Sequence, residues 1–190
     1  DLLKTLKEKD VERKLFRASK LFLWTEVDDE SARALVTRLL TLEVEDPGKE
    51  ITLYINSPGG TIHDGLAIYD AIAAIRSPVS TVCVGMAASM GAVLLACGAR
   101  GRRFAWPHAR VMIHQPAIMG TIIGSATDLD IRARETLRYR EELNRILADK
   151  TGKSVETIAQ DTDRDYFMSA GEAQAYGLID AVITSIEPAP

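Results

Sequence analysis

The stretch "VSTVCVGMAASMGAVLLACG" (Val79–Gly98) reads as a strand that runs almost directly into a helix. Val79 to Gly85 is rich in β-branched side chains and carries no charge, the profile of a buried strand. From Val84 to Gly98 every residue is small or apolar, and Ser89 carries the one hydroxyl among them. A helix this apolar belongs inside a core, where an unbonded hydroxyl only adds desolvation cost. Ser89 is therefore either a small packing residue or a nucleophile.

Working outward, "ITLYIN" (Ile51–Asn56) is a second strand, followed by "SPGG" (Ser57–Gly60) and a helix through Ile62, Leu66, Tyr69, Ile72 and Ala73. Further back, "KLFLW" (Lys20–Trp24) reads as a strand. Asp28 and Asp29 offer N-cap chemistry for a helix with the stripe Ala32, Leu35, Val36, Leu39 and Leu40, which "DPGK" (Asp46–Lys49) stops. Beyond Gly98 come strands around Phe104 and "RVMIH" (Arg110–His114), then a long helix over residues 125–150. A short helix from Ser154, "YFM", "SAGEAQAYG" and "LIDAVI" close the chain. This alternation predicts an α/β domain with a largely parallel sheet and helical cover. Residues 1–20 are highly charged and read as an N-terminal arm or helix, and residues 21–190 as one domain without repeats or linkers. In the long helix Leu129, Ala133, Leu137, Leu143 and Leu147 recur at nearly four-residue spacing among charged side chains. On pattern alone, a helix lying on its own domain and one projecting towards another subunit stand level.

A chain of 190 residues with 46% hydrophobic content is long enough to bury a sizeable core. Its 23 basic and 27 acidic side chains leave a formal charge of -4, which argues against a nucleic-acid backbone as the main partner. Cys83 and Cys97 sit in apolar runs without metal-ligand spacing and read as buried free thiols of a reducing compartment, hence a cytoplasmic or organellar protein. Apolar runs fall short of the roughly 18–20 residues of a membrane span, so no membrane partner is expected. No signal-peptide pattern stands at the start, although a chain that begins at Asp1 is compatible with a removed upstream segment.

A serine becomes a nucleophile when a base takes its proton and donors stabilise the oxyanion. Of the three histidines, His114 ends an apolar strand, a position that delivers an imidazole to the edge of a core. His63 and His108 read as surface residues. A satisfied, half-buried imidazole is nevertheless the commoner fate of a lone histidine. "SPGG" and the amides that follow Ser89 are candidate oxyanion donors, though a tight turn is the ordinary use of such glycines. "DTDRDYF" (Asp161–Phe167) offers three carboxylates to orient the imidazole. The chain order Ser, His, Asp differs from the α/β-hydrolase order, and Ala87 stands where that family has Gly. A Ser–Lys dyad is disfavoured, because no lysine lies between Lys49 and Lys150.

The motifs "YINSPGG", "GMAASMGAVLLACGARGRR", "RVMIHQP", "ATDLDI" and "DTDRDYFMSAGEAQAYGLIDAVI", in this order from about Lys20 to Ile183, resemble the proteolytic subunit of the Clp protease. The resemblance implies a crotonase-like spiral of β-β-α units with a projecting handle helix over about 125–150. It implies Ser89 as nucleophile, His114 as base, Asp165 as the orienting acid, and the amides of Gly60 and Met90 as oxyanion donors. Arg164 falls on an inter-ring contact and Tyr54 on the docking site for an ATPase. The expected assembly is two stacked seven-subunit rings that receive unfolded polypeptides from an AAA+ unfoldase. No metal or organic cofactor is implied.

Departures from the family pattern refine these expectations. The usual N-terminal axial loop is absent from "DLLKTLKEKDVERKLFRASK", and Thr52 replaces one of two docking tyrosines. The substrate-pairing segment after "HQP" reads "AIMGTIIGS" (Ala117–Ser125) and is longer than usual. Together they suggest a divergent paralogue, in homo-oligomeric rings or in rings shared with a second peptidase paralogue. Two rivals stand beside the serine endopeptidase: a non-catalytic or partner-dependent ring subunit, and a crotonase-type acyl-CoA enzyme without a Ser–His–Asp set.

Overall fold

The computed structural model describes residues 2–117 and 123–186. Strands β1 (Lys20–Leu23), β2 (Ile51–Ser57), β3 (Val79–Ala88), β4 (Arg103–Ala105) and β7 (Ala181–Val182) lie side by side in that order, all parallel. Strand β5 (Arg110–Ile113) runs parallel to the far half of β3, and β6 (Tyr166–Ser169) pairs antiparallel with β5. The helices are α1 (Leu2–Arg17), α2 (Asp29–Glu45), α3 (Ile62–Ala74), α4 (Met90–Ala96), α5 (Ala126–Thr151), α6 (Val155–Asp161) and α7 (Ala170–Tyr176). The protein is thus a mixed α/β domain with a mostly parallel sheet, as its strand–helix alternation predicts.

Strand β3 continues three residues past Gly85, where the sequence pattern ends it. The cause is a partner switch. Thr81–Cys83 pairs with β4, whereas Met86–Ala88 pairs with β5. Between them Gly85 adopts φ +81°, and a Cβ there would stand 2.9 Å from Asn56 Oδ1. Asn56 lies in a register shift of β2 and accepts a hydrogen bond from the Met86 amide at 3.2 Å. A glycine and an amide side chain together bend the strand and re-aim its end.

Helix α2 starts as its residues predict. Asp28 accepts from the Ser31 amide at 2.9 Å, and Ser31 Oγ accepts from the Asp28 amide at 3.0 Å, a reciprocal capping box. Its buried face is Ala32, Leu35, Leu39 and Leu42. Leu40 is 48% exposed, because one residue beyond Leu39 turns it about 100° off that face. Helix α4 buries all seven of its residues against the sheet, and each of its larger aliphatic side chains contributes roughly 1.5–3 kcal/mol of burial.

Two polar contacts clamp the periphery. Arg103, nearly buried, pairs bidentately with Asp180 and donates to the carbonyls of Lys150 and Gly177 at 2.9 Å, joining the ends of α5 and α7 to β4. Burial alone pushes the Asp180 carboxyl up, but the Arg103 hydrogen bonds outweigh it and hold the group below its ordinary value. At the end of α2, Glu43 accepts from the Ser77 hydroxyl at 2.6 Å, the Ser77 amide at 3.0 Å and Arg76 at 3.1 Å.

Helix α5 is buried unevenly along its length. From Ala126 to Glu135 every residue is exposed, and burial begins only at Leu143. In its first half Leu129, Ile131 and Leu137 lie in solvent. The supposed stripe breaks at its six-residue step from Leu137 to Leu143, which places the two leucines on different sides of the helix. Helix α1 is mostly exposed from Lys9 onward and meets the core through Phe16.

The Glu43 contacts carry a pH signature. Hydrogen bonds from Ser77, led by its hydroxyl, hold the Glu43 carboxyl down at about 2, against an ordinary 4.5. A group whose folded value is depressed stabilises the fold above its unfolded value, and that contribution is lost as pH falls through the folded one. The deficit in melting temperature of Glu43→Gln should therefore be largest near neutral pH and shrink as pH drops from about 5 towards 2. Thermal denaturation of both proteins across that range checks it.

Candidate active site

Three side chains converge because two strand ladders are extended by one residue each. In the parallel ladder Ala88 pairs with Met112, and the next amide, Ser89 N–H, donates to Met112 O at 2.9 Å. In the antiparallel ladder Ile113 pairs with Tyr166, so the next opposed residues are His114 and Asp165. Ser89, His114 and Asp165 thus gather at one end of the β3–β5–β6 array. Ser89 Oγ lies 2.9 Å from His114 Nε2, and His114 Nδ1 lies 3.0 Å from Asp165 Oδ1. A carboxylate only accepts, so Nδ1 carries the proton and Nε2 is left to accept from the Ser89 hydroxyl.

The sequence puts Ser89 near the start of its helix, and it stands just ahead of the first turn. It is the N-cap residue of α4, with φ +54° and ψ -123°, and with Ser19 is one of two non-glycine residues at positive φ among those described. Such a backbone costs on the order of 1–3 kcal/mol and persists only where the surroundings dictate it. Here the Ser89 carbonyl accepts from Ala92 and Val93, and its amide is bonded to β5. Gly59 packs against its other side, where a Cβ would stand 2.6 Å from Ser89 Cβ and 2.7 Å from Ala88 O. The turn holds Ser89 out of the apolar helix and points it at the imidazole.

"SPGG" is more than a turn. Val27 N–H donates to Gly59 O and Thr61 N–H donates to Val27 O, both at 2.8 Å, a parallel bridge in which the Gly60 amide takes no part. Gly60 and Met90 both border a pocket of about 780 Å³ that also contains Ser89 and His114. Val93, Ile113, Leu143 and Leu147 supply an apolar surface, while Glu26, His63 and Arg132 lie at its polar parts. The α5 side of this pocket, from Thr136 and Tyr139 to Leu143, was not foreseen from the sequence. Spacings of three and four residues along α5 were its only sign.

Other candidates occupy distinct places. Of the three carboxylates in "DTDRDYF", Asp161 accepts from Tyr176 Oη at 2.7 Å, Asp163 accepts from Gln115, and only Asp165 is bonded to His114. Arg164 points into solvent, its side chain 85% exposed, and among the described residues it bonds to its neighbour Asp163. His63 is exposed beside Asp64, and His108 is exposed in the loop before β5. Tyr54 lies on the outer face of the sheet, stacked on Phe22 at 5.3 Å, with Trp24 edge-on to Phe22. Thr52 is buried and accepts from Lys20 Nζ at 3.0 Å. The expected substrate-pairing segment Ala117–Ser125 includes residues 118–122, which lie outside the described residues.

The family model described as Clp protease matches residues 4–186, nearly the whole chain.

The two thiols are not alternative nucleophiles. Cys83 and Cys97 are both buried, and burial pushes each thiol up to about 12, so neither supplies thiolate near neutral pH. Native protein should take up no thiol reagent such as iodoacetamide on the minutes scale, whereas the denatured chain should take up two equivalents. Mass spectrometry of the alkylated protein reads the difference.

Proposed function

The chain belongs to the Clp protease family and is a Clp-type peptidase subunit; from that premise we propose that it is a serine endopeptidase acting through Ser89. Ser89 Oγ attacks the scissile carbonyl while His114 Nε2 takes its proton and passes it to the leaving amine. Asp165 holds the Nδ1–H tautomer and stabilises the imidazolium. The amides of Gly60 and Met90 receive the oxyanion, and water then releases the acyl group along the same route in reverse. The observation that carries this reading is the continuous row from Ser89 Oγ to Asp165 Oδ1, at 2.9 and 3.0 Å, opening on a pocket large enough for a peptide. The row is complete in the isolated chain, which favours a catalytic subunit over a purely structural one.

The natural substrate in this reading is unfolded polypeptide, cut to short peptides inside two stacked seven-subunit rings and supplied by an AAA+ unfoldase in the cytoplasm. Residues 1–20 form an N-terminal arm or helix, and residues 21–190 the peptidase domain. The bare first half of α5, with its exposed leucine and isoleucine side chains, supports a role in meeting another subunit. Arg164, extended and unburied, is suited to an acidic group across the ring–ring contact. Tyr54 with Phe22 and Trp24 presents an aromatic surface for the unfoldase. Thr52, already bonded to Lys20, adds nothing apolar there, which supports weak docking and a second peptidase paralogue as ring partner.

Ser89→Ala removes one oxygen from a small-residue site. It should abolish cleavage of a short fluorogenic peptide, by roughly a thousandfold or more, while leaving oligomer size unchanged. Residual turnover near the wild-type rate would refute the mechanism. Arg164→Ala should yield single rings with little peptidase activity, since a shift of about 1 Å in Asp165 costs roughly a hundredfold. Sedimentation velocity beside the peptide assay tests this, and an active double ring would remove Arg164 from the contact.

A further inference from the structure

Asp165 is the least enclosed member of the row. Its side chain is 60% exposed, and among the described residues its one side-chain bond is to His114. Packing therefore does not set its position, which depends on the backbone of the turn between α6 and β6. Part of that turn is firm: Thr162 N–H and Oγ both donate to Ile158 O, at 2.9 and 2.7 Å, and Thr162 Oγ also reaches Asn144 on α5 at 3.4 Å. His114 has a different dependence. The β5–β6 ladder ends one residue before it, at Ile113 and Tyr166.

Gln115 joins these two segments. Its amide donates to Thr162 O at 2.6 Å. Its side-chain Nε2 donates to Asp163 O at 2.9 Å and to Asp163 Oδ1 at 3.3 Å, and its Oε1 accepts from Arg140 on α5 at 3.4 Å. The surroundings dictate which way the carboxamide faces, with two acceptors on the Asp163 side and a guanidinium donor on the other. The opposed pair His114 and Asp165 is thereby bracketed, by the strand ladder on one side and by the Gln115 contacts on the other.

We propose that Gln115 is a positioning residue for the hydrolytic reaction: its carboxamide fastens the His114 segment to the Asp163–Asp165 turn and so sets the distance between imidazole and carboxylate. This rests on the serine-peptidase reading above. Gln115 is not among the residues that border the pocket of Ser89 and His114. Its loss lets the two segments drift apart, which weakens the hold on the imidazole without altering the substrate pocket. The expected effect therefore falls on kcat and not on KM.

Three variants test it on assembled protein, with a short fluorogenic peptide and a fluorophosphonate that labels Ser89. Gln115→Met keeps the size and removes both hydrogen-bonding atoms; kcat and labelling rate should fall about tenfold, with KM within about twofold and unchanged melting. Gln115→Glu keeps the shape and the Arg140 contact, but sets a carboxylate against the carbonyl and carboxylate of Asp163. It should cost more than Gln115→Met, about a hundredfold. A purely space-filling role predicts the opposite order. Adding Asp163→Asn to Gln115→Glu restores a donor to the pair and should recover most of kcat. Wild-type kcat in Gln115→Glu, a milder effect than Gln115→Met, or no recovery in the double variant would each overturn the proposal. Ser89→Ala separates the two levels. If that variant still cleaves peptide, the serine mechanism fails; if it is inactive while Gln115→Glu keeps full kcat, only the role of Gln115 fails.

Discussion

The site depends on one bend, the point at Gly85 where β3 leaves one partner strand and takes another. Strand β3 serves β4 with Thr81–Cys83 and β5 with Met86–Ala88, and Gly85 stands at the change-over. The left-handed backbone of Gly85 makes the change, and Asn56 occupies the space that a side chain there would need while accepting the freed Met86 amide. Because β5 follows the redirected half of β3, it ends level with Ser89. Because β6 is antiparallel to β5 and starts level with Ile113, the residue before it, Asp165, stands level with His114. Catalytic geometry is thereby inherited from hydrogen-bonded registers, which tolerate no gradual sliding: a slip of one residue would turn each side chain to the other face.

Strain and polar satisfaction are concentrated at the same end. Ser89 is held in a left-handed conformation by bonds from β5 and α4 and by contact with Gly59, so the apolar core of α4 acts as the support against which the hydroxyl is presented. Buried polar groups elsewhere are matched. Among the described residues no buried side-chain nitrogen or oxygen lacks a partner. Arg103 and Asp180, 77 residues apart, show how such matching organises the periphery, since one guanidinium closes two helix ends and a strand. Removing either partner would strand a largely buried charge, at a cost of about 3–5 kcal/mol.

Helix α5 has two roles along its length. Its second half packs Leu143 and Leu147 into the core, its middle from Arg132 to Leu147 borders the pocket, and much of its first half is exposed. Arg140 and Asn144, near the transition, contact Gln115 and Thr162 respectively. The exposed part is thus mechanically continuous with the segments that hold His114 and Asp165.

The local features were legible in the sequence. The alternation of strands and helices, the Asp28 cap of α2 and the nucleophile candidate in "AASMG" follow from short-range patterns. Likeness to the Clp family picked His114, Asp165, Gly60 and Met90 out of the local candidates; His114, Gly60 and Met90 border one pocket with Ser89, and Asp165 is bonded to His114. Other features required the tertiary structure. The end of β3, the turning of Leu40 out of the core and the uneven burial of α5 depend on which segments lie beside them. Gln115 carried no sign of its contacts, since its partners are Thr162, Asp163 and Arg140, remote in sequence and adjacent only after folding. Periodicity and capping are properties of neighbours along the chain, whereas register, strain and paired charges are properties of neighbours in space.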